Sequence, residues 1–433
     1  MAPWLFLAAT LVGAWFTFNA YLPERARGPL IVSSFFAGWM TSELSHHHFA
    51  WQLLAAGVFV GLGALEAWPG WLGLALTVAS WVGLFGLSLR SWRTGSSVEA
   101  GLREGLGSAY RSEIPQELAG RLDAPLALSR QINPFLLRDS KVRRIKNVAY
   151  APELGFRGKL DLYLPRDGAA GAPVLFQIHG GAWMVSQKAH QALPLMLRMA
   201  RAGWVCVAPN YRLSPKATWP DHVVDLKRAL AWVKQHIAAH GGDPDFIAVT
   251  GGSAGGHLSS LLALSANDPD FQPGFEHEDT TLQAAVPFYG VYDFTNRHAV
   301  QLHSGLQEML ERLVMKTPLS THREQWEHAS PLHRIHPDAP PFFVVHGTHD
   351  SLTPVEEARL FVEQLRKTSH EAVCYAEIPG AQHAFEVFHS LRSAHVVSGV
   401  ERFLAWAWAR HRGAGGRDQA PQASGSEITS ITT

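Results

Sequence analysis

The chain is short of cysteine, of net charge and, over its first 89 residues, of charge of either sign. Only Cys206 and Cys374 occur among 433 residues. Both lie in apolar strand-like runs, so there is no disulfide framework and two buried free thiols are expected. The 37 basic side chains are balanced by 37 acidic ones, which leaves no global field to draw in nucleic acid. Residues 1–89 carry five charged side chains, Glu24, Arg25, Arg27, Glu43 and Glu66, and the first lysine is Lys141. Such scarcity is membrane-like.

Within that region Pro3–Tyr21, Phe49–Trp68 and Trp71–Leu89 are each long enough to cross a hydrocarbon core of ~30 Å. A fourth run, Pro29–Leu44, is shorter and contains Ser33, Ser34, Thr41 and Ser42, so three or four spans are expected in residues 1–93. Eight of the 15 tryptophans fall in residues 1–92, many at span ends, as interfacial anchors do. A signal peptide is the rival reading of the first span, but no positive segment precedes it and further spans follow. Arg90, Arg93 and Arg103 follow the last span and place the rest of the chain on the cytoplasmic side. The loop with Arg25 and Arg27 agrees with that side only for three spans. His46-His47-His48 suggests a metal, yet consecutive helical residues point ~100° apart and do not converge on one ion. They are expected in a polar loop between spans, and no metal or cofactor is expected.

Residues 94–140 read as a helical linker or cap. Val98, Leu102, Leu106 and Tyr110 recur every four residues and make one apolar face, which could dock on the following domain, cap a site or lie on a membrane. From residue 141 to 412 strands and helices alternate. A hairpin of Val142–Tyr150 and Lys159–Leu164 leads. Val174–Ile178, Val205–Pro209, Phe246–Val249, Ala284–Phe288, Phe342–Val345 and Val373–Ile378 follow as strands. Helical segments between most of them, such as Gln187–Ala202, Val223–His240, Val355–Lys367 and Ala394–Arg410, imply an α/β fold with a mostly parallel sheet covered on both faces. The strandless interval 292–339 is expected to overhang the C-terminal strand ends, where open sheets of this kind bind ligands. Residues 413–433, rich in Gly, Ser, Gln and Thr, read as a disordered tail.

The chemistry centres on Gly251-Gly252-Ser253-Ala254-Gly255. This Gly-x-Ser-x-Gly follows a strand and precedes a helix, the context that a nucleophile elbow requires. Small residues two before and two after the serine let strand and helix close, and the helix beginning at Ala254 turns free N–H groups towards the serine oxygen. Serine needs a base, an orienting acid and donors for an oxyanion. Gly180 and Gly181 of His179-Gly180-Gly181-Ala182-Trp183 lie just past a strand end and are expected to offer backbone N–H groups, joined by that of Ala254. Asp350 follows the Phe342–Val345 strand as the acid. Among 23 histidines, His383 alone sits in a turn after the last strand and is the base. The order Ser253, Asp350, His383 is that of the α/β-hydrolase fold. Asp225, Arg228 and Trp232 share one helix face and are expected to pack and to pair ions.

With Asn210-Tyr211-Arg212-Leu213-Ser214-Pro215 added, residues 141–412 resemble the α/β-hydrolase carboxylesterases of the hormone-sensitive-lipase and feruloyl-esterase-like group. The resemblance implies a serine hydrolase that cleaves carboxylic esters through an acyl-enzyme. Gly252 stands where lipase-like members commonly have an acid, which favours the feruloyl-esterase-like branch. Kynurenine formamidases also have His-Gly-Gly-x-Trp, so an amide substrate is an alternative, as are acyl transfer and a membrane protein that binds a ligand without turnover. The expected partners are a lipophilic ester and the bilayer.

Overall fold

Four apolar segments near the N-terminus form helices in the computed structural model, which describes residues 1–23, 31–116, 118, 122, 128–301 and 305–418. They are α1 (Ala2–Tyr21), α2 (Ile31–Glu43), α3 (Ser45–Gly61) and α4 (Trp68–Leu106). Pro3 and Pro69 stand in the first turns of α1 and α4, where a missing N–H breaks no helical bond. Two of the four, α1 and α4, are long and apolar enough to cross a membrane. These two run parallel. Trp4 meets Trp68 at 5.4 Å between ring centroids, Thr17 Oγ1 lies 2.7 Å from Ser80 Oγ, and Tyr21 donates to Gly83 O at 2.7 Å. Helix α3 returns antiparallel to both, pairing Phe59 with Phe6, His48 with Phe16 and Ser45 with Ser88. Its 17 residues span ~25 Å at 1.5 Å per residue. Helix α2 packs on the end of α1, where Asn19 Nδ2 donates to Ser34 O at 2.7 Å and Ser34 Oγ donates to Asn19 Oδ1 at 2.6 Å.

Two expectations change here. Helix α4 is continuous through residue 93 for 39 residues, so no boundary separates a membrane region from a linker there. Its far end docks on the sheet with Val98 and Leu102 fully buried. A Cβ at Gly101 would sit 2.0 Å from Tyr375 O, an approach that only glycine permits. His46–His48 lie in the first turn of α3, not in a loop, and the rings of His46 and His47 reach the carbonyls of Gln131 and Ile132. The expectation for the Arg25 and Arg27 loop falls outside the described residues.

Among the described residues the strands are β1 (Val142–Ala149), β2 (Lys159–Pro165), β3 (Ala172–Ile178), β4 (Val205–Pro209), β5 (Gly242–Gly252), β6 (Ala284–Phe288), β7 (Phe342–Gly347) and β8 (Val373–Ile378). Their order in one sheet is β1-β2-β4-β3-β5-β6-β7-β8. β2 is antiparallel to both its neighbours and the remaining pairs are parallel. Every residue of β3, β4, β6 and β7 is buried, as expected of parallel strands covered on both faces. Alternate residues feed opposite layers: Leu175 and Ala248 join one core, Phe176 and Val249 the other. The crossovers are α5 (Leu193–Arg201), α6 (Asp221–His236), α7 (Ala254–Ala263) and α8 (Val355–Thr368), and α9 (Leu391–Asp418) closes the fold. α9 continues six residues into the expected tail, and residues 419–433 lie outside the described ones. Among the described residues, the interval 292–339 contains short helices and no strand.

Candidate active site

Between β5 and α7 the backbone turns so sharply that Ser253 takes φ 60° and ψ −123°, a conformation that non-glycine residues seldom adopt. The crowding that requires small neighbours is visible: a Cβ at Gly251 would lie 2.4 Å from Gly255 O, and one at Gly255 would lie 2.2 Å from Ile178 O. Helix α7 starts at the next residue, so the N–H groups of its first turn have no helical acceptor. Among the described residues Ser253 Oγ makes no hydrogen bond.

The base and its acid are joined. His383 Nδ1 lies 2.7 Å from Asp350 Oδ2, with both residues buried. Asp350 leaves the end of β7 and also accepts the N–H groups of Leu352 and Thr353 at 2.9 and 2.8 Å. Burial works against its charge, but the pull of His383 and hydrogen bonds from His346 and His383 outweigh it and keep the carboxyl well below the usual range. Nδ1 is thereby engaged, which leaves Nε2 as the free nitrogen of the base.

Gly180 and Gly181 follow β3, and a Cβ at Gly180 would approach Ser253 Cβ to 3.1 Å, so this turn lies against the elbow. Their roles separate. The Gly180 N–H donates to Gln191 Oε1 at 2.6 Å, a bond that a substrate oxyanion would have to displace. Gly181, at φ 109°, and Ala254 have no such side-chain acceptor among the described residues. The rest of the motif is structural: His179 stacks on Tyr211 at 4.4 Å, and Trp183 Nε1 donates to His257 Nδ1 at 3.1 Å. Burial drops both His179 and His257 to about 3, so both rings are neutral. Asp225 receives a bidentate Arg212, which ties α6 to the loop after β4.

Three neighbours carry no motif. Gln382 Oε1 accepts the N–H groups of Ser351 and His383 and so clamps the acid loop to the base loop. Tyr289 packs its ring 4.4 Å from that of His383 and donates its hydroxyl to buried Glu386. A Cβ at Gly252 would lie 2.6 Å from Tyr289 Oη. The phenol fills the space beside residue 252, which explains the glycine that departs from the lipase-like pattern. Burial pushes the Glu386 carboxyl up to about 7.

The chain matches the BD-FAE family over residues 160–365. It is 45% identical over 414 residues to a probable carboxylic ester hydrolase, LipM, of Mycobacterium tuberculosis, with 94% of each chain covered. Esterase LipQ of the same organism is 43% identical over 340 residues, 77% of this chain and 79% of its own. Among solved structures, an inhibited esterase B from Lactobacillus rhamnosis shares the fold with a TM-score of 0.55 at 18% identity, covering 74% of this chain and 100% of its own. An eight-stranded, mostly parallel sheet, a serine at a strained strand-to-helix turn and relatives matched over nearly the full length lead to one conclusion: the chain belongs to the α/β-hydrolase carboxylesterases.

Proposed function

We propose that the chain is a serine carboxylesterase held in a membrane by its N-terminal helices. The observation that carries the catalytic part is the buried 2.7 Å contact between Asp350 and His383, set in the loops beside a serine in an elbow conformation. Ser253 Oγ attacks the ester carbonyl and His383 Nε2 takes its proton. Asp350 orients the ring and stabilises the imidazolium, while the N–H groups of Gly181 and Ala254 receive the oxyanion. His383 then returns the proton to the departing alcohol, and water releases the acid by the same steps. The bond from Ser253 to His383 closes when substrate is bound, as catalytic hydrogen bonds commonly do.

The membrane part rests on side chains that face outward. Trp51, Leu54, Val58, Val82 and Phe85 of α3 and α4 are exposed, an apolar belt too continuous for water. Arg90 and Arg93 follow it on α4 and favour a cytoplasmic catalytic domain. Fluorophosphonate labelling tests the chemistry: the parent reacts and Ser253→Ala does not, whereas equal labelling of the two would remove the assignment. Protease added to intact cells and to inverted vesicles tests sidedness. The catalytic domain is cut only in the vesicles if it is cytoplasmic.

A further inference from the structure

We infer that α2 is a wall of the active site that selects lipophilic esters. The inference rests on the serine-esterase reading above. The described part of α2 is 13 residues long, and it goes to the loop that carries the base. The ring of Phe35 stands edge-on to that of His383 at 6.3 Å and stacks on Trp39 at 5.7 Å and 7°. Trp39 Nε1 donates to the carbonyl of Ala384, the residue after the base, at 3.0 Å. Its indole also meets Phe388, five residues beyond the base, at 5.3 Å.

The helix is held in register by charge. Glu43 at its end pairs with Arg392 of α9, and both side chains are fully shielded from solvent. Ser390 Oγ donates to Glu43 Oε2 at 2.8 Å, and Arg392 Nη1 donates to Ser42 O at 3.2 Å. Sliding α2 would strip a buried charge of its partner, a change that buried pairs resist strongly. Between that latch and Phe35 the described part of α2 presents no charged side chain, and Phe36 on its outer side is 52% exposed. The base therefore has an aromatic wall on one side, whose own outer surface is apolar.

A reacting carbonyl must lie within reach of both Ser253 Oγ and His383 Nε2, so a chain of several carbons leaving that point meets Phe35 and Trp39. Hydrocarbon buried on such rings gains with each methylene. A dodecanoyl ester offers such a wall far more hydrocarbon than a butyryl ester does. The wall belongs to the same apolar N-terminal segment as the candidate anchor helices, so that segment would both hold the enzyme and help to choose its substrate.

The test uses the full-length chain in detergent with p-nitrophenyl butyrate and dodecanoate, comparing the parent with Phe35→Ala and Phe35→Leu. The ratio of kcat/KM for dodecanoate to that for butyrate is expected to fall by about tenfold or more in Phe35→Ala, a range that one hydrophobic contact can supply. Phe35→Leu should recover part of it. Fluorophosphonate labelling of Ser253 shows which variants retain a reactive site. A labelled Phe35→Ala with the parental ratio overturns the inference, and so does an equal loss on both esters, which would make Phe35 a support of the fold. If Phe35→Ala fails to label, Phe35→Leu decides by the same ratio. If neither variant labels while the parent does, the inference also falls, because a selecting wall is dispensable to the serine itself. A parent that never labels is a different outcome and removes the serine-esterase reading.

Discussion

Ser253, Asp350 and His383 were legible because each carries a local signature: a glycine-framed serine, or a polar residue just past an apolar strand. Gln191, Gln382, Tyr289 and Glu386 were not, since each acts through a partner distant in sequence and no spacing marks it. Gly180 shows the limit from the other side. Its place in the chain suits an oxyanion donor, but a side chain 11 residues away takes its N–H. Asp350→Asn retains the shape of the acid and removes the charge that opposes the imidazolium. Loss of kcat by ~10⁴-fold is the scale for this exchange in a triad, to be measured with butyrate ester on protein whose thermal unfolding is unchanged. Glu386 gives a pH test. Its ordinary value of 4.5 rises to about 7 in the fold through burial. Between those values the folded chain holds a proton that the unfolded chain has released, so stability falls as pH rises through that window, by up to ~3 kcal/mol. Glu386→Gln removes the titration. Denaturant midpoints at pH 5 and pH 8 should therefore drop in the parent relative to the variant, and a gap independent of pH would mean that Glu386 titrates normally.

At the scale of elements, the strands from β3 onward were read within a few residues, because a parallel strand buried on both faces is an apolar run that needs no periodicity. The ends of helices were less legible. Nothing in Leu89–Thr94 stops a helix, as there is no proline and the next glycine, Gly95, sits mid-helix beside the ring of His395. The drop in hydropathy there marks a change of surroundings for α4 and not an end to it. Of the three roles open to its apolar face at Val98 and Leu102, the structure shows docking, since the face covers β8 and α9. Leu102→Ala deletes a fully buried side chain and is expected to cost ~2–4 kcal/mol. The same exchange at Val82, which is 69% exposed, should leave unfolding of the catalytic domain in detergent almost unmoved. Equal effects would mean that the end of α4 is not seated on the sheet.

For the whole molecule, the contacts of α2 and α4 predict that the hydrolase fold does not stand as a separable unit. The sheet and its crossovers occupy residues 142–418, a span that resembles a self-sufficient domain. Yet the base loop leans on Trp39, Arg392 finds its carboxylate on Glu43, His349 Nδ1 lies 3.2 Å from Ala20 O, and β8 is covered by α4. Removing residues 1–140 would take from Arg392 both its partner Glu43 and the helix that shields the pair, in a domain whose total stability is typically only ~5–15 kcal/mol. It would also open to water the faces that Val98 and Leu102 cover. A fragment of residues 141–418 is therefore expected to lack fluorophosphonate reactivity and to aggregate, while the full chain extracted in detergent reacts. The double exchange Glu43→Leu with Arg392→Met in the full chain separates the two causes. It removes the pair without leaving an unpaired charge while α4 stays in place, and it should retain labelling far better than Glu43→Leu alone, which leaves the buried cation unpaired. A soluble fragment labelled as fast as the full chain would show that the N-terminal helices only anchor the enzyme.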